Sequence, residues 1–298
     1  DRLPGRYHGG SGKTSAGLHT RSITEEWVTS FGQYLRQEER SAGTIEKYLR
    51  DVRAFAAWLG GTPLTKEAAA LWKGGLLDQG CTPATVNSKL AAINKFFSFA
   101  GWAEFRVKPL KIQRRLFRDD SRELTRAEYL RLLETARALG RERLALLMET
   151  ICATGIRVSE VQNITVEAAR RGKTEIALKG KIRTILLPGK LCRKLLKYAR
   201  KRQIASGKIF LTKGGRGMSR GQIWAEMKAL CQEAGVAASK VFPHNLRHLF
   251  ARTFYKAYRD VAKLADVLGH SSLETTRIYL ISTGAEHAVM LEGLHLLN

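Results

Sequence analysis

The sequence predicts a mainly α protein. An N-terminal bundle of four or five helices is joined to a larger, mainly helical domain that carries a small antiparallel β-sheet. Three observations lead there. From Ile23 to about Trp102, apolar residues recur at helical spacing. A basic stretch from Arg106 to Arg118 then breaks the pattern. Beyond Glu123 the helical stripes resume, interrupted by one alternating segment, 174–187, that reads as a hairpin. At 298 residues the chain has room for one large domain or two ordinary ones, and 44% hydrophobic residues permit real cores.

Residues 1–21, rich in Gly, Ser and basic side chains without periodicity, read as a flexible basic arm. In the first domain, 22–104, Trp27, Phe31, Tyr34 and Leu35 share one helical face. Ile45, Tyr48, Leu49, Val52, Phe55, Ala56 and Leu59 form a longer stripe, which Gly60-Gly61 ends. A helix over about 65–77 follows. Thr82-Pro83 starts another, with Val86, Leu90, Ile93, Phe96 and Phe97 facing inward and Gly101 as its stop. The aromatic residues are expected in the core. The linker, 105–122, carries Arg106, Lys108, Lys111, Arg114, Arg115 and Arg118; it is either a solvated stretch or a track along a DNA backbone.

The second domain, 123–298, opens on a capping box, Thr125-Arg-Ala-Glu128. An apolar helix over about 143–153 is broken by Thr154-Gly155. The hairpin turns at Gly180 and closes at Pro188. Helices are expected over about 190–205, 219–234, 244–257, 259–268, 272–281 and 285–297.

Lysine and arginine total 51 against 27 acidic residues, a formal charge of +24. Such a chain repels itself unless it meets a polyanion, so nucleic acid is the leading partner. An anionic membrane is second, and no apolar run approaches the roughly 20 residues a spanning helix needs. Cys81, Cys152, Cys192 and Cys231 are far apart and form no Cys-x-x-Cys pair, which indicates reduced, cytoplasmic usage.

The last quarter holds the most specific chemistry. His244-Asn-Leu-Arg247-His248 is followed by Leu268-Gly-His270 and then Tyr279. Phosphodiesters resist attack because both the ground state and the transition state are anionic. An enzyme must neutralise the non-bridging oxygens, place a nucleophile in line and protonate the leaving oxygen. Arg157 and Arg247 offer planar, permanently charged forks. Tyr279 can attack, and His244 and His270 can supply a base and a phosphate hydrogen bond. Lys179, at the hairpin turn, can protonate a leaving 5′-oxygen.

Together these segments resemble the tyrosine recombinases, the family of phage integrases and Xer proteins. Thr154-Gly-Ile-Arg157-Val-Ser-Glu160 is similar to the family's first box, with its catalytic arginine and supporting acid. His244-x-x-Arg247 and Leu268-Gly-His270 resemble the second, and Tyr279 stands at the nucleophile's usual distance after it. Lys179-Gly-Lys-Ile-Arg183-Thr-Ile resembles the hairpin bearing the catalytic lysine. Its turn is short beside Xer examples, which makes Lys181 a rival to Lys179. Leu249 stands where the family often has Thr. The resemblance covers about residues 22–298, and the ordered set of motifs is specific where any one box is not.

The resemblance implies a core-binding domain and a catalytic domain that clamp a DNA duplex. It implies site-specific recombination through a 3′-phosphotyrosyl intermediate, in integration and excision or in Xer-like resolution. No metal, nucleotide or other cofactor is implied, because the covalent link conserves the bond energy. It also implies a homo-tetramer on DNA, with the helix over 285–297 docked on a neighbouring protomer. That helix could equally pack on its own domain. The expected location is cytoplasmic, on the nucleoid. Other functions stay open: DNA relaxation of the type IB topoisomerase kind, and DNA binding without catalysis. Individual residues have plainer readings as well. Arg157 could merely pair with Glu160. His244 and His248 lie four apart, as in a zinc site, but with no Glu between them. His248 is read as supporting. His270 could cap a helix, and Tyr279 could be a core residue.

Overall fold

In a computed structural model of the chain, residues 21–112, 120–178, 181–270, 272–281 and 284–294 are described. The expected arm through residue 20, the linker cations Arg114, Arg115 and Arg118, and Lys179 of the hairpin turn lie outside the described residues. The chain divides between Arg114 and Arg115 into two compact units.

The first unit is built from four helices. α1 (Glu25–Gln37) begins where the Thr24 side chain accepts the Trp27 backbone N–H, and it buries Val28, Phe31, Gly32 and Leu35. α2 (Ala42–Leu59) starts on Ser41 and stops at Gly60, whose φ of 59° favours a residue without Cβ. α3 (Ala68–Asp78) is short and buries Trp72 and Leu76. α4 (Pro83–Ala100) has Thr82 as its cap, Pro83 in its first turn and Gly101 as its stop. Phe31, Phe55, Phe96 and Phe97 are fully buried at the centre, so these aromatics are core and not base-stacking platforms. Burying one such ring is worth roughly 1.5–3 kcal/mol. Phe55→Ala should therefore cost about 3–5 kcal/mol once the cavity is included. The start of the basic linker is fastened to this bundle. Asn94 pairs with both backbone groups of Val107, and Asn87 does the same for Leu110. This leaves Arg106, Lys108 and Lys111 exposed.

The second unit begins with α5 (Arg126–Ala138), whose Thr125–Glu128 capping box is fully formed. α6 (Glu142–Thr154) is nearly surrounded and buries Leu144, Leu147, Met148 and Ile151. A 3-10 turn, Val158–Asn163, follows Gly155 and Ile156. α7 (Val166–Arg171) leads into β1 (Lys173–Leu178), which pairs antiparallel with β2 (Lys181–Leu186). The register sets Ile176 opposite Arg183 and Thr174 opposite Ile185. Next come α8 (Gly189–Lys201), α9 (Arg220–Lys228), α10 (Cys231–Ala234), α11 (Pro243–Tyr258), α12 (Val261–Leu268), α13 (Leu273–Arg277) and α14 (Gly284–Glu292).

Three elements differ from the sequence expectation. The helix expected over 219–234 is split into α9 and α10. α7 was not expected, because six residues are too few to show a period. The helix expected over 272–281 ends at Arg277, and the chain tightens into bonds from Tyr279 N–H to Thr276 C=O and from Leu280 N–H to Arg277 C=O. That tightening turns Tyr279 inward, where it is 3% exposed.

Candidate active site

The site grows from four local structures in the second unit. The first is the end of α6. Gly155 closes that helix at φ 66°, and a Cβ there would collide with the Phe250 ring. Two residues on, Arg157 is extended and heads the 3-10 turn. The Glu160 carboxylate reaches back, accepting from the Arg157 backbone N–H at 2.7 Å and from its guanidinium at 3.0 Å. The plain Arg157–Glu160 pairing is therefore present. It is not exclusive, because Glu160 also receives Arg183 from β2 at 2.8 and 3.0 Å.

The second structure is the first turn of α11. Pro243 at its start is preorganised for a helix. Helical spacing then sets His244, Arg247 and His248 on one side. Arg247 is 2% exposed. Its guanidinium donates to the carbonyl of Gly155, to the carbonyl of Leu268 at 2.8 Å, and to His270 Nε2 at 3.0 Å. Its Nε–H points to the Tyr279 hydroxyl at 3.4 Å, a long bond. His244 is exposed.

The third is the end of α12. Gly269 adopts φ 66°, which lets the His270 N–H return to the Ala265 carbonyl. His270 does follow a helix stop, but its ring is engaged elsewhere. Arginine can only donate, so His270 Nε2 accepts from Arg247 and Nδ1–H donates to Thr276 Oγ1 at 2.8 Å. Burial, with the charges of Arg247, Arg157 and Arg183 added, pushes His270 down to about 4. The ring is thus neutral at ordinary pH.

The fourth is the turn that carries Tyr279. Its ring lies 4.3 Å from His248, 5.6 Å from His270 and 5.8 Å from His244, centroid to centroid. Behind it are Ala251, Leu264 and Leu268. Tyr279 is thus a core residue by burial while its hydroxyl faces the deepest cation. Burial first, then His244 and nearby arginines, hold His248 down to about 3, so it too is neutral.

The fold therefore gathers Arg157, Glu160, His244, Arg247, His248, His270 and Tyr279 from four separate segments. Lys179 lies outside the described residues, as does the side chain of its rival, Lys181. Arg106, Lys108 and Lys111 belong to the first unit. Among the described residues, no group of three or more His, Cys, Asp or Glu side chains could hold a metal ion.

Two participants had not been assigned from sequence. Thr276, fully buried, orients His270. Arg183 shares Glu160 with Arg157. A strand's two-residue period offered a signal: Arg183 falls in register with Ile185, whose side chain is buried. A cation on the inward face of a strand needs a buried partner.

Chemically, Arg157 and Arg183 share the one carboxylate, Arg247 adds a third guanidinium, and the nearby imidazoles of His248 and His270 are neutral. The cluster is net positive, with a phenol at its floor. That is an environment for an anion that develops further charge, such as a phosphodiester under attack.

Comparison with known proteins is consistent with this chemistry. Residues 122–286 match the phage integrase family, and residues 28–104 match the phage integrase N-terminal SAM-like domain. The tyrosine recombinase XerA of Pyrococcus furiosus is 29% identical over 93% of this chain and 99% of its own length. XerA of Thermococcus kodakarensis is 30% identical over 87% of this chain and 91% of its own. Among solved structures, a lambda integrase tetramer bound to a Holliday junction aligns with a TM-score of 0.69, covering 87% of this chain and 77% of that one. At 19% identity, that last likeness concerns the fold.

Proposed function

The chain belongs to the phage integrase family of tyrosine recombinases, site-specific DNA recombinases, and we propose how its own residues carry that activity. Tyr279 Oη attacks a backbone phosphorus. The bond to the 5′-oxygen breaks, leaving a 3′-phosphotyrosyl link and a free 5′-hydroxyl. A 5′-hydroxyl from another strand then attacks that link, restoring a phosphodiester and releasing Tyr279. Arg157 and Arg247 neutralise the non-bridging oxygens. His244 and His270 supply a proton acceptor for the phenol and a hydrogen bond to the phosphate. Lys179 protonates the leaving oxygen. Glu160 holds Arg157, and His248 packs on the Tyr279 ring.

One observation supports this assignment above the others. The hydroxyl of Tyr279 sits against Arg247, itself braced by Gly155, Leu268 and His270. Tyr279 is thereby singled out from the other tyrosines. The test is Tyr279→Phe on a nicked suicide duplex carrying the protein's own site, found by sequencing covalently trapped DNA. Binding should persist and the covalent adduct should vanish. An adduct that persists in the variant sinks the assignment.

The domain roles extend this reading. The helical bundle serves as the core-binding domain, with Arg106, Lys108, Lys111, Arg114, Arg115 and Arg118 following the DNA backbone. The exposure of the first three supports it. Assembly as a homo-tetramer is supported by α14, where Val289, Met290 and Leu291 are exposed, as is Leu294 just beyond. A helix with that much open apolar surface suits docking on a neighbouring protomer. Deleting residues 285–298 should weaken recombination more than single-site binding. Equal loss of both would mean that the tail serves its own domain. A cytoplasmic, nucleoid-bound, Xer-like resolvase is favoured over an element-borne integrase, because the match to the XerA relatives extends over nearly their whole length.

A further inference from the structure

We infer that Arg183 is a positioning residue of this site: by taking up the charge of Glu160, it leaves Arg157 free to meet the phosphate. The inference rests on the proposed phosphodiester chemistry and deepens it, since that chemistry gives Arg183 no task.

Glu160 is 4% exposed and carries the carboxylate of the cluster. Two arginines compete for it. Arg183 approaches both carboxylate oxygens through one nitrogen, at 2.8 and 3.0 Å. Arg157 gives the carboxylate a single guanidinium bond, at 3.0 Å. The two cations also differ in access. The Arg183 side chain is 12% exposed, while that of Arg157 is 34% exposed. The inner arginine can thus satisfy the acid, and the outer one stays partly open to solvent. Without Arg183, Glu160 and Arg157 would form a neutral pair, and a phosphate would meet one net cation fewer.

Arg183 also ties distant segments together. Its other terminal nitrogen donates to the Val267 carbonyl at 2.9 Å, in the last turn of α12 before His270. Gly269 makes room for it: a Cβ on that residue would collide with Arg183 Cδ. One side chain thereby links β2, the Arg157 turn and the His270 turn.

Stability alone does not account for an arginine here. Its Nε–H is buried without a partner among the described residues. An orphaned donor costs free energy, and although losing one partner of a buried ion pair is destabilising, Glu160 keeps Arg157 as a counter-ion when Arg183 is removed. Arg183→Met should therefore fold.

The test is a double-mutant cycle of Arg183→Met and Glu160→Gln on the suicide duplex, measuring adduct formation rate, DNA affinity and melting temperature. Arg183→Met should slow cleavage by about 10- to 100-fold with affinity within about threefold. Adding Glu160→Gln removes the charge that Arg183 had to cancel. The double variant should then cleave at least about tenfold faster than Arg183→Met alone. Wild-type cleavage by Arg183→Met, or a double variant no faster than the single one, overturns the inference. A wild-type protein that forms no adduct would instead overturn the recombination chemistry. In that case the side-chain N–H resonance of Arg157 decides the coupling: it moves in Arg183→Met if the inference holds and stays in place if it does not.

Discussion

Arg247 enters the site from the first turn of α11 with 2% of its surface exposed, and Arg157 stands at the head of a 3-10 turn with 34% of its side chain open. Both carry the same charge to the same place. Arg247 is held by two backbone carbonyls, an imidazole and the Tyr279 hydroxyl, so most of its donors are engaged before any DNA arrives. Arg157 leans on one carboxylate and, at 3.4 Å, on the Gly269 carbonyl. The two guanidinium groups therefore divide the labour. Arg247 is bound into the framework of the site, while Arg157 is the guanidinium left more open to solvent.

The contrast can be broken experimentally. Arg247→Ala should have the largest effect. It removes a phosphate clamp and orphans several buried acceptors, so cleavage should fall by about 10³-fold or more and stability by roughly 2–5 kcal/mol. Arg157→Ala should cut cleavage by about 10²–10³-fold. Its cost in stability should stay within about 1 kcal/mol, because its ion pair is partly solvated. Chemical denaturation of both variants checks this, and equal stability losses would erase the distinction. Gly269→Ala comes next. It forces a side chain into a left-handed conformation at about 1–2 kcal/mol and pushes Arg183 aside, so a slower adduct rate should accompany the lower stability.

The last test is of pH, and it reads stability instead of cleavage. His270 and His248 are held neutral in the folded protein, down to about 4 and about 3, against an ordinary value of 6.5. Below 6.5 the unfolded chain takes up protons that the folded chain refuses. Stability is therefore complete above about pH 6.5 and is lost progressively as pH falls toward 4 and 3. Melting curves across that range should show the decline, and His248→Phe should flatten it. A melting temperature that stays constant from pH 7 to 4 would contradict the neutral imidazoles.

Much of this protein is readable from neighbouring residues. Thr82-Pro83 and Gly101 mark the two ends of α4 because capping and left-handed backbone are local properties. The Thr125–Glu128 box marks the start of α5 for the same reason. Where local signals are thin, the reading was incomplete. α7 is too short to show a period, and α13 stops at Arg277, where the chain tightens and turns Tyr279 inward. The candidate site shows the same split. Arg157, His244, Arg247, His270 and Tyr279 are legible as motifs, since their types and order suit phosphodiester chemistry.

Periodicity, capping and the order of the motifs establish which side chains are present and which helices bear them. What each one does for its neighbours depends on the packing of distant segments. The carbonyl that braces Arg247 comes from Gly155, 92 residues away in the chain. Arg183 meets Glu160 across 23 residues and Val267 across 84. An arginine's burial, its engaged donors and the tautomer of His270 all follow from partners that no short window of sequence contains. Local sequence sets conformation over a few residues, whereas charge neutralisation in a buried site depends on distances between segments that only packing brings together.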